Sequence, residues 1–133
     1  MNYSVYLFGP HLIGALFILI GLLQRFLPPK NINRWYGYRT LTARSSQQAW
    51  DEGNRYSAMY MIKAGAFVLI VGFAINVLAI TYVTDFQTRQ MIAYIMLFGG
   101  AMGIGILSTV ATERHLKKTI KNLKVKPPVK RRR

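Results

Sequence analysis

Three long apolar runs separated by two polar connections set the plan of this 133-residue chain. The first, residues 5–23, contains no lysine, arginine, aspartate or glutamate. A helix of ~20 such residues is long enough to cross a hydrocarbon core. The second, 64–83, has Asn76 as its only strongly polar member, and the third, 91–111, is uncharged. This pattern predicts an all-α membrane protein with three transmembrane helices, over about 5–27, 57–83 and 91–111. A short interfacial helix precedes the second span, and a basic helix and tail follow the third. Residues 1–124 then form one membrane domain. Residues 125–133 form a basic, proline-bearing tail expected to be disordered when free.

The breaks between the runs have local causes. Pro28 and Pro29 cannot continue a helical hydrogen-bond ladder, so the first helix is expected to stop before them. Ser45 with Gln48 has the form of a capping box, which starts the next helix. A single helix from there to Val83 would be ~58 Å long, far more than a bilayer core. Two pieces are therefore expected: a surface segment over 47–55, bent near Gly53, and then the span. Trp50, Tyr56 and Tyr60 would mark the headgroup level, where aromatic rings with a polar edge concentrate. Residues 84–90 are short enough to make an antiparallel hairpin.

Small residues recur on the spans. Gly14 and Gly21 are seven apart, as are Gly65 and Gly72, and Gly99 with Gly103 forms GxxxG. Each pair lies on one helix face and lets a second helix approach closely. The Asn76 amide is expected to bond across to a neighbouring helix, since hydrocarbon offers it no partner. His11, the ionisable group of the first span, is expected at the outer boundary or bonded to a helix beside it.

Charge decides the orientation. Of the 18 basic residues, seven lie from Arg25 to Lys63, one is Arg89, and ten lie from Arg114 onward. Positive residues favour the cytoplasmic side, so the N-terminus is expected outside and the C-terminus inside. Leu116, Ile120 and Leu123 fall at i, i+4 and i+7 among Lys117, Lys118, Lys121 and Lys124. That stripe is expected to bind an anionic inner leaflet through the lysines. Nucleic acid is not the expected partner of the +14 charge, because no base-stacking aromatic follows Arg114.

Catalytic ingredients are few. There is no cysteine, and Asp51, Glu52, Asp85 and Glu113 are the acids. The two histidines, His11 and His115, fall on opposite sides of the membrane, which excludes a paired-histidine metal site within one chain. No cofactor, metal or enzymatic activity is expected. Polar chemistry gathers instead in NRWYGYRT between the first two spans, with Trp50 and Asn54 beyond it. The candidate partner- or ligand-binding residues are Asn33, Trp35, Tyr36, Gly37, Tyr38, Arg39, Thr40, Trp50 and Asn54. Arg39 is expected to fix this loop by a bidentate pair with Asp51 or Glu52.

Asn33, Gly37, Tyr38, Arg39 and Thr40, followed by Trp50 and Asn54, resemble the SdpI family of bacterial integral membrane proteins. The likeness runs from about Pro29 into the second span. It implies a non-enzymatic inner-membrane protein that confers toxin immunity, or that holds a transcriptional repressor at the membrane once toxin is present. The loop would then be the docking site for a membrane or cytoplasmic protein. The glycine-bearing faces also fit an accessory subunit of a larger membrane complex, or a homo-oligomer. A small transporter is the remotest alternative, because His11 and Asn76 are almost the whole polar lining of the spans.

Overall fold

The computed structural model describes residues 11–125, with side chains as far as residue 121. It is all-helical over that range. Helix α1 runs His11–Phe26, α2 runs Gln47–Tyr82 and α3 runs Phe86–Val125, with one 3₁₀ turn at Ala43–Ser45. α2 and α3 are long and apolar enough to cross a membrane, whereas the described part of α1 is shorter. The tail beyond Val125 and residues 5–10 of the expected first span lie outside the described residues.

α1 ends at Phe26, before the proline pair. α2 then departs from the expected two pieces: it is one unbroken helix of 36 residues. No bend is needed at Gly53 because this glycine is buried. A Cβ there would lie 3.2 Å from Leu116 and 3.4 Å from Ala43, so the first turns of α2 are packed by protein. The cap also moves by one residue. Ser46, not Ser45, is the N-cap, its hydroxyl accepting from the Ala49 amide at 3.1 Å.

The second connection is tighter than expected, with α3 starting at Phe86 instead of Met91. Asp85 explains this, because its Oδ2 accepts from the Thr88 amide at 2.7 Å and from the Thr88 hydroxyl at 2.5 Å. A carboxylate in that position satisfies first-turn donors that otherwise have no partner. α3 then continues unbroken well past Ala111.

α1 and α2 pack antiparallel with their backbones nearly touching. A Cβ on Gly14 would lie 2.6 Å from the Gly65 carbonyl, and one on Gly65 would lie 2.7 Å from the Gly14 carbonyl. One helical face further along, a Cβ on Gly21 would meet the Ala58 carbonyl at 2.8 Å. Gly72 is buried on the same side of α2. α3 packs on α2, with Gly100 near Ile13 and Val68. Gly99 and Gly103 are placed differently, with no atom of the described residues within 4 Å of a Cβ built on either.

Asn76 is also buried on α2, but its Nδ2 has no hydrogen-bond partner among the described residues, so the expected cross-helix bond from that donor is not seen. His11 meets the ring of Phe73 edge-on, with centroids 5.9 Å apart.

Candidate functional site

The first connection, residues 27–46, folds back over the start of α2 and the later turns of α3. Three anchors hold it there. Trp50, placed at the headgroup level by the sequence, is instead fully buried, and its indole N–H donates to the Pro29 carbonyl at 2.8 Å. An indole needs such an acceptor when its ring is removed from water. The proline that ends α1 is thereby fixed to the helix that follows.

Asn54 is the second anchor. Its Oδ1 accepts from the Tyr38 amide at 2.6 Å and from Gln24 Nε2 at 3.0 Å, while its Nδ2 donates to the Trp50 carbonyl at 2.9 Å. Gln24 Nε2 also reaches the Ser57 hydroxyl at 2.8 Å. All of Gln24, Asn54 and Ser57 are buried, so this is a satisfied polar network joining α1, the loop and α2. Gly37 sits directly on it. Its φ is 101°, a left-handed conformation that side chains disfavour. A Cβ would lie 2.7 Å from Pro29 Cγ and would collide with Asn54 Oδ1.

The third anchor is Glu113 on α3. One oxygen accepts from the Tyr38 hydroxyl at 3.2 Å and from the Thr40 hydroxyl, and the other accepts from the Thr42 hydroxyl at 2.6 Å. Partial burial opposes its charge, but these three donors outweigh that and hold the carboxyl below the usual carboxylate range. Burial, with the Glu113 charge nearby, pushes the Tyr38 phenol up to about 12, so it remains a donor. One turn away, Glu52 accepts from Arg55 at 2.8 and 2.9 Å and lies 2.6 Å from the His115 ring nitrogen. Those bonds, Arg55 foremost, lower the Glu52 pKa. The His115 ring stacks on Tyr56 with centroids 4.1 Å apart.

Two expectations fail here. Arg39 pairs with neither Asp51 nor Glu52; its guanidinium donates to the Arg34 carbonyl and stays exposed. Glu52 is already engaged by Arg55 and His115, and Asp51 accepts from Gln47 at 2.7 Å. Leu116 does not face lipid. It is fully buried against Gly53, with Thr112 buried one turn before it. Ile120 lines a small hollow with Ala49, while the Leu123 and Lys124 side chains lie outside the described residues. Lys117, Lys118 and Lys121 are exposed or half-exposed on the outer side of this segment.

The structure thus divides the sequence-selected residues into two groups. Gly37, Tyr38, Thr40, Trp50 and Asn54 hold the loop in place. Asn33 shapes its turn, with Oδ1 accepting from the Trp35 and Tyr36 amides at 2.9 Å. Trp35 faces outward at 91% exposure, with Tyr36 and Arg39 exposed beside it, and Leu41, which the sequence did not single out, is 88% exposed. Gln24, Thr42 and Glu113 were not selected from the sequence. Gln24 had a signal, being an amide within the expected first span, but Glu113 had none, since only the fold brings it to residues 38–42.

A family model described as the SdpI/YfhL protein family matches residues 30–112. A Bacillus subtilis (strain 168) protein, "Uncharacterized protein YfhL", is 45% identical over 63 residues, which cover 47% of this chain and 57% of that protein. The chain therefore matches little more than half the length of that curated relative. No solved structure matches the chain. The matched stretch holds residues 30–46 of the loop, the Trp50 and Asn54 anchors and the whole of α2, stopping one residue short of Glu113, and this chain belongs to the SdpI/YfhL family.

Proposed function

We propose that this protein is a non-enzymatic, three-span inner-membrane protein that gives toxin immunity or relays a signal through the loop at 33–42. One observation carries the reading: the loop is rigidly anchored from beneath, yet Trp35 and Leu41 are almost wholly exposed. Exposed aromatic and aliphatic side chains on a fixed backbone cost little ordering entropy when a partner covers them. Arg34 and Arg39 flank them and favour an acidic partner surface. The positive-inside rule places this loop and the end of α3 in the cytoplasm, and the hairpin at 83–85 outside.

The test is expression in a toxin-sensitive strain lacking relatives of this family, followed by challenge with a secreted peptide toxin. Survival of the wild-type chain, lost in Trp35→Ala/Leu41→Ser at equal membrane abundance, supports docking through the loop. Unchanged sensitivity together with unchanged transcriptional reporter output rejects it.

A second reading, an accessory subunit of a larger membrane complex, is favoured by Gly99 and Gly103. They lie on an open face of α3 beside an apolar groove of about 460 Å³ between α2 and α3. Purification in mild detergent separates the two readings. A stoichiometric companion favours the second, and a lone monomer favours the first.

A further inference from the structure

We propose that the cavity where α1 ends beside the first turns of α2 binds the phosphate of an anionic phospholipid. The cavity measures about 440 Å³ and is bordered by Arg25, Lys30 and Arg55, against one carboxylate, Asp51. The pairing of these groups leaves it positive. Arg55 is committed to Glu52 through two bonds, and the Asp51 carboxylate accepts from Gln47. Among the described residues neither Arg25 nor Lys30 has a carboxylate partner. The Arg25 guanidinium rests against the Met59 sulfur, a weak neutral acceptor that leaves most of its donors available.

Guanidinium and ammonium groups together suit a phosphodiester: the planar fork takes two oxygens and the ammonium adds a point charge. Gln24 and Asn54 also line the cavity, but both are buried and the Gln24 amide nitrogen is engaged by Asn54 and Ser57, so the charge that would hold a phosphate comes from the cations. Pro28 and Pro29 supply an apolar wall. Leu23, Phe26 and Leu27 are exposed where α1 ends, and they offer acyl chains a surface that a free phosphate would not use. The site needs the membrane placement proposed above, but not the docking role of the loop.

The test uses the full chain extracted in detergent, with native mass spectrometry and thermal melts in phosphatidylglycerol, phosphatidylcholine, glycerol phosphate or inorganic phosphate. Phosphatidylglycerol is expected to be retained and to raise Tm. Arg25→Gln/Lys30→Gln should weaken that retention by about tenfold, the loss expected for charge-assisted bonds. Lys117→Gln/Lys118→Gln/Lys121→Gln should retain it, and circular dichroism should show both variants equally helical. Equal retention by the Arg25/Lys30 variant overturns the site. Equal stabilisation by glycerol phosphate or inorganic phosphate overturns the lipid assignment. Recovery of the chain in the soluble fraction, before any lipid is added, identifies failure of the membrane placement instead.

Discussion

Where α1 crosses α2 the contact is backbone on backbone, whereas α3 joins them chiefly by side chains at its loop end. Gly14, Gly21 and Gly65 leave no room for a methyl group. Along the apolar part of α3, a Cβ on Gly99 or Gly103 would meet no atom of the described residues within 4 Å. The same residue type thus closes one helix pair and leaves the other open. Within a bilayer, apolar burial between helices drives little association, so close packing and hydrogen bonds decide which helices hold together. α3 gets its hold from Leu116, buried against Gly53, and from Glu113 and His115 reaching back to the loop and α2.

The sharpest way to break this contrast is to insert bulk into the tight seam. Gly14→Leu or Gly65→Leu should separate α1 from α2 and cost about 3 kcal/mol or more, because backbone cannot yield as a side chain can. A thermal melt in detergent reads the effect, and a native-like Tm would refute the backbone contact. Gly37→Ala comes next, at about 1–3 kcal/mol, since the left-handed backbone and the Asn54 contact both oppose a Cβ. Its expected signature is faster proteolysis between Pro29 and Thr42 with α2 still intact.

Glu113→Ala should cost about 1–3 kcal/mol by leaving the Thr40 and Thr42 hydroxyls without their acceptor and Tyr38 with the Thr109 carbonyl alone. Hydrogen exchange should rise in the loop and in the end of α3, but not along the α1–α2 seam. The same carboxylates set an acid dependence. Glu52 and Glu113 both have pKa values lowered in the fold, so their contribution is present above the unfolded glutamate value of about 4.3. It is lost as pH falls through the lower folded values. Melts from pH 6 down to 3, at roughly unit intervals, should show wild type losing its advantage over Glu113→Gln below about pH 4. A constant difference across that range would remove the charge from the account.

Smallest of all should be Gly99→Leu or Gly103→Leu, within about 0.5 kcal/mol for the chain alone, as for substitutions that touch nothing. If either variant dissociates an oligomer seen by crosslinking in native membranes, the open face of α3 is a seam with a second chain. A large loss of monomer stability would show that α3 packs tightly at these two positions.

Much of the fold was legible in the residue pattern. Apolar run lengths and the proline pair gave the helices and the first break, while glycine spacing on α1 and α2 gave the face that closes. The same spacing argument assigned packing to Gly99 and Gly103, where a Cβ would touch no helix among the described residues. Local pattern reports which face could close, and a partner in space determines whether it does. Bilayer thickness likewise argued for two pieces with a bend near Gly53, but Leu116 and Ala43 pack on that glycine and α2 runs unbroken through it.

The loop shows the same division. Its residue types, with the glycine between two tyrosines, were enough to single out 33–40, Trp50 and Asn54 from the sequence. Which of them face inward was a tertiary outcome, because the deciding acceptors come from elsewhere in the chain. Asn54 and Pro29 take up the Tyr38 amide and the Trp50 indole, and Glu113 gathers hydroxyls more than 70 residues away in sequence. A carboxylate's value as an anchor depends on the donors around it. Only the antiparallel return of α3 brings those donors within reach.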